Sequence, residues 1–111
     1  MNNNVDCREK EILKRLKTIN GHMNAVVKMM ENEKPYDEII FQLEAIRSAI
    51  SNTTSILAQC YVQLTMFESM QKGDKSLDLD SIKKPIEILM RVSEQSLKQS
   101  IQTLNTEVNL V

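Results

Sequence analysis

This chain has almost nothing with which to turn a corner. It carries two glycines and two prolines among 111 residues, so tight turns are few and a meander of short strands is excluded. It has no tryptophan and only two tyrosines and two phenylalanines, and it lacks the β-branched and aromatic runs that strands favour. No stretch reaches the roughly 18 consecutive apolar residues of a membrane span. The first ten residues, "MNNNVDCREK", hold no apolar core of the kind a secretory signal carries, so a cytoplasmic protein with no membrane contact is expected. Two cysteines, Cys7 and Cys60, are too few for a disulfide framework and fit a reducing compartment. A single histidine, no phosphate-cradling glycine loop and no nucleophile–base pair leave no basis for an enzyme.

What is present is helical periodicity. Hydrophobic residues make up 41% and charged residues 26%, ordinary for a globular domain. Ile12, Leu16, Ile19, Met23, Val26 and Met30 recur at alternating steps of four and three, the seven-residue repeat of helices that pack lengthwise. Ile39, Leu43, Ile46, Ile50, Thr53, Leu57, Cys60, Leu64 and Phe67 continue the same alternation. Ile86, Met90, Leu97, Ile101, Leu104 and Val108 supply a third stripe. The expected fold is all-α, a single domain over 1–111 with helices over about 7–32, 36–71 and 82–108. "EKPYDEII" (33–40) breaks the first two helices, with Pro35 at the turn and Asp37 and Glu38 at a helix start that favours negative charge. "QKGDKSLDLD" (71–80) reads as a polar loop, with Gly73 a C-terminal stop, Asp80 or Ser81 an N-cap, and Pro85 confined to a first turn. Gly21 costs about 1 kcal/mol against alanine inside a helix, and is expected to serve a close approach. Long stripes with so few bulky residues call for partners. An obligate helical oligomer, a helical-bundle dimer or higher, is expected, with the second helix at the interface and Ile46 and Ile50 both essential to it.

The net charge is −1, yet residues 8–28 carry Arg8, Lys10, Lys14, Arg15, Lys17 and Lys28 against Glu9 and Glu11. Charge is therefore polarised toward one basic segment. Such a run is often no more than a solvated face.

The segment "RLKTINGHMNAVVKMMENEKPYDEIIFQLEAIRSAI" (15–50) resembles the copper-sensing repressor family, which also includes nickel/cobalt, formaldehyde and persulfide sensors. The resemblance rests on Arg15-Leu16, Ile19, Gly21, Met29, Glu31, Pro35, Gln42, Ala45, Arg47 and Ala49 and runs without gaps over roughly residues 12–66. It implies a cytoplasmic repressor built as a flat tetramer of three-helix subunits without a helix-turn-helix. Basic residues of the first two helices would dock on operator DNA until an inducer releases them. On this chain those are Lys14, Arg15, Lys17, Lys28 and Arg47, with Arg15 the first choice for gripping phosphate and expected to face solvent. Thr18 and Asn24 stand where relatives often carry a basic residue.

The same resemblance places Tyr36, Tyr61 and Thr65 at the three ligand positions of the inducer site. Phenol and hydroxyl are poor partners for Cu(I), which selects soft thiolates, so Cu(I) is not expected there; another metal or a thiol modification are the open alternatives. Cys60, one residue before a ligand position, is either a small buried apolar residue or a displaced sensor thiol. Cys7 is either an exposed terminal thiol or one half of a dithiol with Cys60 across subunits, since some relatives complete the site with an N-terminal residue. His22 follows the family glycine and is either a surface residue or a metal ligand. Two rivals to the repressor stand: a helical oligomeric interaction protein that has lost DNA binding and recruits a partner through its third helix, and a thiol- or metal-binding module.

Overall fold

A computed structural model describes residues 7–71 and 79–109. The described residues form three helices: α1 over Glu9–Glu31, α2 over Tyr36–Gln71 and α3 over Leu79–Asn109. They fall into two compact units, one of Arg8–Leu57 and one that joins Cys7 to Ala58 and the residues after it. The expected Gly73 stop lies outside the described residues.

The first unit is a helical hairpin. α1 enters through Arg8, whose backbone is left-handed at φ 53° and whose carbonyl accepts the Ile12 N–H at 2.9 Å. Glu9 and Glu11 occupy the positive end of the helix dipole and Lys28 the negative end. The helix stops in a closed cap. Glu33 adopts φ 54°, the Lys34 N–H reaches the Met29 carbonyl at 3.0 Å and the Glu33 N–H the Met30 carbonyl at 3.2 Å. This is the six-to-one and five-to-two pairing of a Schellman motif, with glutamate where glycine is usual. Pro35 follows and its carbonyl accepts the Ile39 N–H. Asp37 and Glu38 then fall in the first turn of α2, as the turn chemistry predicts.

Val26 of α1 packs with Ile39 and Ile46 of α2, and Ile19 and Met29 close around them. Thr53 is buried, with its hydroxyl donating to the Ala49 carbonyl at 2.8 Å. The stripes split by register. Residues at multiples of seven, Ile12 and Val26 on α1 and Ile39, Ile46 and Thr53 on α2, are buried, with Ile19 partly so. The alternate set is not: Leu16 is 48% and Leu57 52% exposed, and Met23, Met30, Leu43 and Ile50 are exposed with them. Ile46 and Ile50, equivalent by periodicity, are thus different residues, one in the core of the chain and one outside it. A methyl group added at Gly21 would meet open space, so none of the described residues makes the close approach expected there.

In the second unit Ala58, Cys60 and Ser69 of α2 and Ile82 and Pro85 of α3 are buried. The Ser69 and Ser81 hydroxyls hydrogen-bond at 3.0 Å. α3 starts at Leu79, three residues earlier than expected, so Asp80 and Ser81 lie inside its first turn rather than capping it. Pro85 is therefore in the helix interior, not its first turn. An interior proline forfeits a backbone hydrogen bond, and here its ring is among the most buried side chains of the chain, which offsets that loss by apolar burial. Beyond it Met90, Leu97, Ile101, Leu104 and Val108 are exposed.

Candidate functional site

The chemistry-bearing residues gather on α1. A helix turns about 100° per residue, so Lys10, Lys14, Lys17 and Lys28 fall within an arc of about 80° on one side of it. All four are exposed, and no ion pair among the described residues involves them. Gly21 and Asn24 lie in the same arc and are exposed too. The side chains of Lys10, Leu13, Lys14, Lys17 and Thr18 line a shallow recess along this face. Lys10 belongs to the stripe although the family match does not point to it; its spacing of four and seven from Lys14 and Lys17 is the signal that finds it.

Arg15 is elsewhere. It follows Lys14 in sequence, and one residue of helical rotation carries it off the stripe. Its Nη2 and Nε donate to Glu11 Oε1 at 3.0 and 3.3 Å. Arg8 grips the same carboxylate, Nε to Oε2 at 2.6 Å and Nη2 to Oε1 at 2.7 Å. The Arg15 side chain is 40% exposed, facing solvent as expected, but it is engaged by Glu11 rather than left open. The Arg8 guanidinium first, and Arg15 after it, hold the Glu11 carboxyl below its ordinary pKa of 4.5. A recess beside this cluster is lined by Arg15, Ile19, His22, Ala49 and Thr53 among others. His22 is exposed, and so is Arg47 on α2.

Cys7 and Cys60 come together in the second unit. Both are buried, and the Cys60 thiol donates to the Cys7 carbonyl at 2.6 Å. Among the described residues no group of three or more His, Cys, Asp or Glu is arranged to hold a metal ion. No helix among the described residues is long and apolar enough to cross a membrane.

The model of a family described as "Metal-sensitive transcriptional repressor" matches residues 8–106. The chain belongs to this family. Among curated proteins it is similar to the "Copper-sensing transcriptional repressor CsoR" of Mycobacterium tuberculosis (strain ATCC 25618 / H37Rv) and of Mycobacterium bovis (strain BCG / Pasteur 1173P2), 22% identical to each over 73 residues. That stretch is 66% of this chain and 61% of each relative, so the chain spans about three fifths of the length of the curated relatives it matches. No solved structure matches it.

Tyr36, Tyr61 and Thr65, the residues expected at an inducer site, offer phenol and hydroxyl groups rather than a thiolate or imidazole. Tyr36, at the first turn of α2, is 78% exposed, and Tyr61 40%. Thr65 lies one turn after Tyr61, and its hydroxyl donates to the Tyr61 carbonyl at 2.8 Å. That hydroxyl is engaged in its own helix.

Proposed function

We propose that the chain is a DNA-binding transcriptional repressor that meets operator DNA through the lysine stripe of α1, as a cytoplasmic homo-oligomer, a tetramer by analogy with the family. The single observation that carries this reading is the alignment of Lys10, Lys14, Lys17 and Lys28 on one exposed face of a chain matched to a repressor family over residues 8–106. Lysines without acidic partners are the groups that displace counterions from a phosphate backbone. Gly21 sits within the stripe with open space around it, which lets a sugar–phosphate chain lie close to the helix. Arg47 adds a further cation from α2. Arg15 is held in reserve by Glu11 and sets how positive the face is.

The oligomer would form on the exposed register of α1 and α2, the set containing Leu16, Met23, Leu43, Ile50 and Leu57. Ile50→Lys is expected to abolish assembly while helicity is kept. Ile46→Lys is expected to cost several kcal/mol by burying an unpartnered charge and to unfold the hairpin. Circular dichroism with sedimentation separates the two. Tyr36, Tyr61 and Thr65 suit neither Cu(I) nor any step that needs a thiol at position 36, so the inducer is not copper held at these positions.

The interaction-protein rival draws on the exposed apolar residues of α3, Leu97, Ile101, Leu104 and Val108. Fluorescence anisotropy with the DNA upstream of the protein's own gene decides. Binding by the intact oligomer at low salt supports the repressor. No binding at low salt, with or without reductant, makes the interaction protein the better account.

A further inference from the structure

The chain has two cysteines, 53 residues apart in sequence, and the fold sets them against each other. Cys7 is 2% and Cys60 5% exposed. Each sulfur points at the other residue's backbone: Cys60 Sγ is 2.6 Å from the Cys7 carbonyl oxygen, and Cys7 Sγ is 3.8 Å from that of Cys60. A disulfide needs Cα atoms about 4.4–6.8 Å apart, and the two sulfur-to-carbonyl contacts put each thiol against the backbone of the other cysteine. A cysteine kept only as a small apolar residue has no need of a second one beside it. The residue after Cys7 is also unusual: Arg8 holds a left-handed backbone, a conformation that a side-chain-bearing residue keeps where its neighbours are fixed.

We propose that Cys7 and Cys60 are an oxidative modification site, at which a hydroperoxide converts the two thiols of one chain into a disulfide. Cys7 stands outside the helices and Cys60 within α2, so a local opening exposes Cys7 first. Its thiolate attacks one peroxide oxygen: the S–O bond forms, the O–O bond breaks, and the departing oxygen takes up a proton. The product is a Cys7 sulfenic acid, with water or an alcohol released. The Cys60 thiol then attacks the sulfenic sulfur. The S–S bond forms, the S–O bond breaks, and the hydroxide leaves as water with the Cys60 proton. The thiols lose two electrons in total and the hydroperoxide gains them. A resolving thiol held beside the backbone of Cys7 competes with further oxidation of the sulfenic acid. The bond closes a loop that contains α1 and most of α2 up to Cys60, which restricts the unfolded chain. This site is independent of the DNA reading and of Tyr36, Tyr61 and Thr65.

The test is treatment of the reduced full-length protein with hydrogen peroxide, followed by intact mass and a non-reducing peptide map. The expected result is a loss of two hydrogen masses per chain, a peptide joining Cys7 to Cys60, and migration as a single chain on a denaturing non-reducing gel. The thermal midpoint should rise by several degrees and fall back with dithiothreitol. Cys7→Ser should show no such mass loss. If that variant does not fold, the wild-type map decides alone. Oxygen additions without the joined peptide, linkage between chains, or no change in mass at high peroxide would each overturn the proposal.

Discussion

Two groups of cations share α1 and differ in what they can still do. Lys10, Lys14, Lys17 and Lys28 line one exposed face and form no ion pair among the described residues. Arg8 and Arg15 lie on another side and converge on Glu11, whose carboxylate they share at 2.6–3.3 Å. Formal charge counts both groups alike. Geometry leaves the first open to a polyanion and satisfies the second internally. A guanidinium is the stronger phosphate ligand in isolation, yet here it must first give up a carboxylate.

The largest effect is expected from breaking the open face. Lys14→Ala with Lys17→Ala should lower DNA affinity tenfold or more at moderate salt and make its salt dependence shallower by about one log unit per lost contact, measured by anisotropy titration. Next comes the locked group: Glu11→Gln removes a negative charge and the carboxylate that holds Arg15, so affinity should rise several-fold in the same assay. Arg15→Ala should have a smaller effect than either, because Glu11 already neutralises what is removed; a loss as large as that of the lysine pair would erase the distinction between the two faces. The smallest effect is on stability. The folded pKa of Glu11 is lowered, so the contribution of the Arg8–Glu11–Arg15 cluster is present above the unfolded value of 4.5 and lost as pH falls through the folded value. The thermal midpoints of wild type and Glu11→Gln should differ at neutral pH, modestly for so exposed a pair, and converge on acidification.

The helices themselves were legible in the sequence. The four–three alternation from Ile39 to Phe67 and the turn chemistry around Pro35 give α2 its bounds, which fall at Tyr36 and Gln71. α3 was less legible because Pro85 argues for a late start; a fully buried ring inside the helix depends on packing that no local rule contains. Register was half legible. Periodicity treats Ile46 and Ile50 as equals, and only the placement of α1 makes one a core residue. On the candidate interface, adjacency in sequence grouped Arg15 with Lys14 and Lys17, whereas rotation about the helix groups Lys10 with them. That signal was available in the spacing. The meeting of Cys7 with Cys60 was not, since two residues separated by α1 and most of α2 are brought together by tertiary structure alone.

The salt dependence of DNA binding by the intact wild-type oligomer bears most directly on the central claim that α1 presents an open phosphate-binding face. Four lysines on four phosphates, at about 0.9 each, predict that log affinity falls against log salt with a slope of about −3.6 for one helix, and more steeply if several subunits engage. A slope shallower than about −1, or no binding at all at low salt, would contradict it.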